Sequence, residues 1–303
     1  MVCMGEAQAF CLGVGGQPFS PLALGRHLVD WCSAMRWDMR KRLEGKVAIV
    51  TGAGSSGPGW GNGKACAVQF AREGARVFAV DINLESANET GAIINEEGGD
   101  CAVFRADVTD SDAVAQLVSA CMEAYGHIDV LHNNVGIVEP GGPEKIQEEN
   151  WDRLIDVNIK SMYLTCKNVL PHMVEAGGGS VINVSSIASF FSLGYPCVSY
   201  SASKGAVNAF TRNIATQYAK NHIRCNAILP GLMDTPLIRG AVSGAYEDVE
   251  AMIAERDALC PMGKMGDAWD VANTAVFLAS DESHYITGIE LIVDGGLTLT
   301  MRP

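Results

Sequence analysis

The chain has 303 residues, 48% of them apolar and 19% charged, and a net charge of −13. That balance belongs to a folded globular chain with material for a large α/β core, and it excludes a disordered one. The negative charge repels a phosphate backbone, so no nucleic acid partner is expected, and no apolar run is long enough to span a bilayer.

Residues 1–43 differ from the rest of the chain. They mix Gly, Trp and Cys and end in the basic cluster Arg40-Lys41-Arg42. No charged segment precedes the apolar stretch Ala7–Val14, and glycines interrupt it, which does not fit a secretory signal. Arg26–Arg42 has the make-up of a basic amphipathic helix. We expect a loosely attached extension on a cytoplasmic protein; a mitochondrial presequence is the alternative, and Met35 and Met39 are alternative starts.

From residue 44 onward the pattern is regular and undivided, as for one domain over 44–303. Short apolar runs predict strands at Val47–Thr51, Arg76–Asp81, Ala102–Ala106, Ile128–His132, Ser180–Val184, Arg224–Ile228 and Glu290–Val293. Helical periodicity predicts helices that include Lys64–Glu73, Ser111–Tyr125, Trp151–Glu175, Tyr200–Lys220 and Trp269–Ala279. Apolar strands alternating with helices argue a doubly wound Rossmann-type fold, a seven-stranded parallel sheet with helices on both faces. Ten cysteines, from Cys3 to Cys260, form no CxxC pair and no zinc-ligand spacing. Cys66, Cys121 and Cys166 sit in apolar runs and read as small core residues in a reducing compartment, and no metal is expected.

The first predicted strand runs into Thr51-Gly52-Ala53-Gly54-Ser55-Ser56-Gly57-Pro58-Gly59-Trp60-Gly61-Asn62-Gly63 and then a helix. Glycines let the backbone approach a pyrophosphate, and the helix N-terminus offers unpaired N–H groups and partial positive charge. Gly52, Ser55, Ser56, Gly61, Asn62 and Gly63 are therefore candidate phosphate contacts. Asp81, at the end of the second strand, stands where an acid accepts hydrogen bonds from the adenosine ribose and repels a 2′-phosphate. Ile82 and Asn83 bring no cation, so NAD is favoured over NADP. Asp81 as a plain strand-end turn residue is the competing reading.

Tyr200 and Lys204 lie at i and i+4 and share one helix face. A nearby ammonium, with the positive nicotinamide ring, would lower the tyrosine pKa and fit Tyr200 to act as general base on an alcohol or general acid on a ketone. Tyr163 and Lys167 repeat the spacing, but no serine-bearing strand end precedes them, and they read as packing plus a solvated lysine. The strand Val181–Val184 delivers Ser185-Ser186 just upstream of Tyr200, where a hydroxyl would hold the substrate oxygen.

Taken in order, TGAG…GNGKA, ADVTD around Asp107, NNVG at Asn133–Gly136, DVN ending at Asn158, NVSS, YSASK, IRCNAILPG and VDGG resemble the short-chain dehydrogenase/reductase family over about Leu43 to Leu297. The resemblance implies Tyr200 as acid/base, Lys204 on the nicotinamide ribose, Ser186 orienting the substrate beside Ser185, and Asn158 positioning a relay water. It implies Asp107 and Val108 at the adenine, Asn133 and Gly136 along the adenosine, and Pro230, Gly231 and Thr235 around the nicotinamide. Three departures stand out. Gly57-Pro58-Gly59-Trp60 looks inserted, so Gly61 and Gly63 align with the last two glycines. Val135 stands where alanine is typical. The spacing from Ser186 to Tyr200 is one residue long, which leaves Ser185 or Ser186 open as the substrate serine.

Family loops that select substrate correspond to Ile137–Pro143, Ala188–Cys197 and Leu232–Met265. Their apolar content suits a hydrophobic alcohol or ketone, with Ser186, Ala188, Tyr195 and Met233 as candidate contacts and Arg239 as a candidate anion contact. The segment after Gly231 is expected to close as a lid. The resemblance also implies a homotetramer or homodimer. The leading reading is an NAD-dependent secondary-alcohol dehydrogenase or ketone reductase. A 3-oxoacyl-thioester reductase of the same fold and a non-catalytic dinucleotide-binding regulator are the alternatives.

Overall fold

The computed structural model describes residues 41–241 and 248–300. The expectations for residues 1–40, and the C-terminal Met301-Arg302-Pro303, lie outside the described residues. Lys41–Leu43, assigned from sequence to the extension, belong with the domain: Leu43 is fully buried in the core and its N–H donates to the Glu73 carbonyl.

Strand β1 (Val47–Thr51) is buried along its whole length and is an interior strand of a seven-stranded sheet. The other strands are β2 (Arg76–Asp81), β3 (Asp100–Arg105), β4 (Val130–Asn133), β5 (Gly179–Val184), β6 (Ile223–Pro230) and β7 (Glu290–Val293). Their order is β3-β2-β1-β4-β5-β6-β7, and every pairing is parallel. Period-two alternation splits the core between the two faces. Ala48 and Val50 of β1 pack with helices α1 (Asn62–Arg72) and α9 (Ala268–Ala279), through Ala65, Phe70, Ala272 and Val276. Val47 and Ile49 pack on the other side with Val114 and Leu117 of α3 (Ser111–Tyr125) and Val169 of α5 (Ser161–Ala176). Cys66, Cys121, Cys166 and Cys225 are buried free thiols, and burial pushes all four well above the usual thiol range.

The single helix expected over Trp151–Glu175 is three pieces. Helix α4 (Glu148–Ile155) passes through a wider π-turn, Asp156–Lys160, into α5. Such a turn adds a residue to the helical ring, which breaks the 3.6 phase and here buries Asn158 completely. Three helices stand beyond those named from sequence: α2 (Leu84–Glu96), α7 (Pro236–Ala241) and α8 (Val249–Leu259). The first is started by Asn83, whose side chain accepts from the Glu85 and Ser86 N–H groups. Helix α6 (Val198–Tyr218) runs on from the β5 side. Between β3 and β4 the chain returns across the sheet to the far side of β1. That reversal opens a crevice at the carboxyl ends of the strands. Among the described residues no helix is long and apolar enough to cross a membrane.

Candidate active site

A cleft of about 500 Å³ lies in that crevice. Its floor is the glycine turn after β1. Gly52 has φ +65°, a left-handed conformation open to glycine at little cost. A Cβ on Gly63 would penetrate the Gly52 carbonyl oxygen, so only glycine lets the first turn of α1 seat on the end of β1. Gly61 starts α1 without a side-chain cap, which leaves the helix's first N–H groups free for a ligand. Ser55, Ser56, Gly61, Asn62 and Gly63 all line the cleft, and the buried Asn62 Oδ1 has no hydrogen-bond partner. Residues 57–60 do not line the cleft, whereas Gly61 and Gly63 do.

Asp81 lines the cleft with Oδ2 on the Gly54 N–H (2.9 Å) and Oδ1 on the Asn83 N–H (2.9 Å). These bonds aim the carboxylate and leave further lone pairs for ribose hydroxyls. Asp107 and Val108 line the same end, with Asp107 Oδ1 accepting from the Thr109 N–H and hydroxyl. Asn133 does not line the cleft. It ends β4 at 2% exposure, donating to Asn183 Oδ1 (2.9 Å) and accepting from the Thr165 hydroxyl (2.8 Å). The next residue, Asn134, points into the cleft instead and donates to the Gly52 carbonyl (3.1 Å). Two adjacent asparagines at a strand end face opposite ways, and the sequence offered no phase to choose between them. Asn133→Ala is expected to cost about 1–3 kcal/mol by orphaning the buried Asn183 oxygen. Its NADH affinity should stay unchanged, whereas Asn134→Ala weakens NADH binding. Denaturant midpoints and fluorescence titrations of the two variants check this.

At the other end Gly136, Pro230, Gly231, Met233 and Thr235 line the cleft. A Cβ on Gly231 would meet Asp294 Cβ at 2.6 Å. Asp294 itself braces the C-terminal turn by accepting from the Gly296 and Thr298 N–H groups. The role of VDGG is therefore to hold this wall.

Between the two ends Ser186, Tyr200 and Lys204 line the cleft together. The two serines differ in their bonds. Ser185 donates to the Lys204 backbone carbonyl (3.0 Å), whereas Ser186 accepts from the Ala188 N–H (3.1 Å) and is close enough to the Tyr200 phenol to pull its pKa down. A 3₁₀ turn, Ile187–Ser189, and the loop after it connect Ser186 to the helix that carries Tyr200. Lys204 Nζ, 2% exposed as a residue, donates to the Val184 carbonyl (2.8 Å) and lies 5.6 Å from the Tyr200 ring centre. Asn158 is bonded at both ends to the Ile137 backbone (2.8 and 2.9 Å) and to the Ser203 hydroxyl (3.0 Å). A Cβ on Gly136 would lie 3.2 Å from Lys204 Nζ and 3.5 Å from Asn158 Oδ1, so this glycine keeps the space beside both open.

The electrostatics correct one expectation. Within the polypeptide Tyr200 is not lowered by Lys204. Burial pushes it up to about 12, the Ser186 hydrogen bond pulls it down, and the neighbouring Tyr195 and Cys197 push it up again. Burial likewise pushes Lys204 down to about 8. The ammonium sits over the ring on a backbone carbonyl rather than at the phenol oxygen, so solvent loss outweighs Coulomb attraction.

Three substrate-side expectations also change. Ala188 is buried and serves Ser186 through its backbone, because the 3₁₀ turn points it inward. Tyr195 is near Tyr200 but outside the cleft lining, since the 190–197 loop carries it past the mouth. Arg239 is held by Asp234 in a two-bond clasp (2.7 and 2.8 Å), so it is not a free anion contact. Arg153 of α4 and Val157 line the cleft and were not singled out from sequence, whereas Ile137, Leu237 and Ile238, which belong to the expected substrate loops, line it too. The i, i+4 spacing of Arg153 and Val157 ahead of Asn158 is the signal that would have found the pair. Among the described residues no cluster of three or more His, Cys, Asp or Glu is arranged to hold a metal.

A glycine-floored dinucleotide cradle with a Ser–Tyr–Lys group in the same cleft defines a nicotinamide-dependent oxidoreductase class. The family model described as enoyl-(acyl carrier protein) reductase matches residues 58–298. A 2,5-dichloro-2,5-cyclohexadiene-1,4-diol dehydrogenase of Sphingobium indicum is 40% identical over 258 residues, covering 85% of this chain and 98% of that protein. A 2-(R)-hydroxypropyl-CoM dehydrogenase of Xanthobacter autotrophicus is 38% identical, with 84% and 98% covered. A 3-oxoacyl-[acyl-carrier-protein] reductase of Thermotoga maritima is also 38% identical, with 85% and 100% covered. The crystal structure of a Burkholderia xenovorans protein described as a short-chain dehydrogenase/reductase superposes with a TM-score of 0.84 at 43% identity, covering 86% of this chain and all of that one. The chain belongs to the short-chain dehydrogenase/reductase family, whose members bind a nicotinamide dinucleotide.

Proposed function

We propose that the chain is an NAD-dependent dehydrogenase/reductase that interconverts an apolar secondary alcohol and its ketone, with Tyr200 as the acid/base. The observation that carries this is that Ser186, Tyr200 and a buried Lys204 line one cleft together with the glycine cradle. The cradle fits the dinucleotide: free N–H groups at the start of α1, an unpartnered Asn62 oxygen and glycines that no Cβ could replace.

When bound, the nicotinamide supplies the hydride acceptor or donor. The chain's own residues do the rest. Ser186 donates to the substrate oxygen and fixes it next to the Tyr200 hydroxyl. Tyr200 takes the alcohol proton in oxidation and returns one to the carbonyl oxygen in reduction. Lys204, with Asn158 behind it, holds positive charge below the phenol. Ile137, Val157, Met233, Leu237 and Ile238 keep water out and favour an apolar substrate. Two relatives named for alcohol substrates support the same class.

NAD selectivity rests on Asp81, whose carboxylate would face a 2′-phosphate. Arg105, paired with Asp81 across β2 and β3, donates to the Ile82 carbonyl (3.2 Å) and does not line the cleft. Asp81→Ala is expected to erode the preference for NADH over NADPH by about tenfold, the order of one buried charge contact. Steady-state kcat/KM with each cofactor checks it, and an unmutated protein that prefers NADPH overturns the NAD reading.

The Thermotoga relative keeps a second reading in view, a 3-oxoacyl-thioester reductase. A panel of apolar ketones and a 3-oxoacyl thioester, followed by loss of NADH absorbance, separates the two; turnover of none of them favours a dinucleotide-binding regulator. The chain is also read as a cytoplasmic homo-oligomer. Edge strand β7 and the exposed Tyr285, Ile292 and Leu299 of the C-terminal segment support the assembly, and sedimentation tests it.

A further inference from the structure

The phosphate cradle is complete without Gly57-Pro58-Gly59-Trp60, and the structure shows what this insert touches instead. Ser55, a cleft-lining residue, donates its hydroxyl to the Gly57 carbonyl (2.8 Å) and so ties the insert to the cradle. On its far side the insert faces the first residue of α7. A Cβ added to Gly57 would lie 3.5 Å from Pro236 Cβ, and one added to Gly59 3.6 Å from Pro236 Cγ, so the proline ring stands about one methyl group away from the inserted backbone. The last inserted residue is fixed from below. The Trp60 ring packs on Trp269 of α9 with centres 4.7 Å apart; Lys64 Nζ lies 5.3 Å over Trp60, and the Arg72 guanidinium lies 4.9 Å over Trp269. Both cations come from α1, so the insert is held against the two helices that back the cradle.

Helix α7 needs such support. It has six residues, too few to be stable alone, since isolated helices of fewer than about 12 residues are marginal in water. Its root is pinned where Met233 bridges Gly266 and the Asp234 N–H donates to the Gly266 carbonyl (2.8 Å). Beyond that, its clasp is the Arg239–Asp234 pair, both more than a third exposed and therefore weak. Leu237 and Ile238 nevertheless face the cleft. A cavity of about 210 Å³ lies between α7, α9 and the insert, walled by Pro58, Gly59, Trp60, Pro236, Arg239 and Trp269. Packing of α7 on α9 is thus thin, and its position falls to the nearby insert and to whatever fills the cleft.

We propose that the Gly57–Trp60 insert is a strut that seats α7 over the cleft, so that Trp60 and Pro236 are positioning residues linking an occupied dinucleotide cradle to an ordered substrate wall. The proposal rests on the dinucleotide reading above. It predicts that filling the cradle steadies α7 only when the strut is intact.

The test is limited trypsin digestion with and without saturating NADH, reading cleavage after Arg239 by fragment mass. NADH affinity is measured by fluorescence in the same samples. In the unmutated protein NADH should slow this cleavage by about tenfold, as expected when cleavage follows the open population. In Trp60→Leu and in Pro236→Ala the protection should fall below about twofold, while the NADH dissociation constant changes by less than about threefold. Trp60→Phe, which keeps a ring on Trp269, should restore most of the protection. Pro236→Ala carries the test if Trp60→Leu does not fold. Undiminished protection in the variants, or no protection in the unmutated protein despite NADH binding, overturns the strut. Failure of NADH to bind the unmutated protein overturns the functional reading itself and is a separate result.

Discussion

Tyr200→Phe is expected to lower turnover by about 10³-fold and to leave NADH binding within about a factor of two, since positioned acid–base groups contribute roughly 10²–10⁴-fold. The substitution keeps the ring that walls the cleft and removes only the hydroxyl that Ser186 holds. Among the described residues no other tyrosine and no cysteine or histidine lines the cleft. Tyr195 and Cys197 are close enough to act on the Tyr200 charge, but neither lines the cleft. Steady-state kinetics and an NADH titration on the same preparation decide the matter: turnover within tenfold of the unmutated protein removes Tyr200 from the acid/base role.

The same residue sets a pH signature. Burial holds Tyr200 at about 12 within the polypeptide, so at neutral pH it is a phenol. That form is ready to protonate a ketone. Oxidation requires the phenolate, whose fraction grows tenfold per pH unit below the pKa. Alcohol oxidation is therefore expected to rise steadily from neutral to alkaline pH, and ketone reduction to fall only at alkaline pH. A bound oxidised nicotinamide, positive beside the ring, moves the oxidation profile to lower pH without changing its sign.

How much of this was legible in the chain depends on the kind of signal. The bounds of β1, β2, β7 and α3 coincide with the apolar runs and period read from sequence, because each is flanked by glycine, asparagine or aspartate that ends it. Strand β4 begins two residues later than its apolar run, since Ile128 is buried in the approach to the sheet and not within a ladder. Burial alone does not mark pairing. The π-turn at Asp156–Lys160 left no trace in composition, although it is what turns Asn158 inward. That Tyr200 and Lys204 share one face was legible because helix phase fixes it, and both line the cleft; Asn158 was named through the family resemblance alone. Asn133, Ala188 and Tyr195 were misplaced because each lies where a strand or helix gives way to irregular backbone, and there the phase is lost. The approach of Pro236 to Gly57 and Gly59 joins distant parts of the chain, and no local rule could show it.

Lys204→Met is the second large effect, and it separates function from stability. The variant should lose about 10²-fold or more in turnover, because the positive charge beside the reacting groups is gone. Its stability should move the other way. Burial places the folded-state pKa at about 8 against 10.5 for an ordinary lysine. Between those values the unfolded chain holds a proton that the folded chain has released, so stability of the unmutated protein rises with pH across that window. Below pH 8 the folded protein carries the full cost of a buried charge, on the order of 3 kcal/mol. Methionine has similar volume and no charge, and it forfeits only the hydrogen bond to the Val184 carbonyl, about 1 kcal/mol. At pH 7 Lys204→Met should therefore be more stable than the unmutated protein by about 1–2 kcal/mol, with the gap closing towards pH 10. Denaturant unfolding at both pH values is the measurement. A gap of either sign that did not change with pH would mean that Lys204 is not held below its ordinary range. The lysine would then act on Tyr200 as a fully charged ammonium at every working pH.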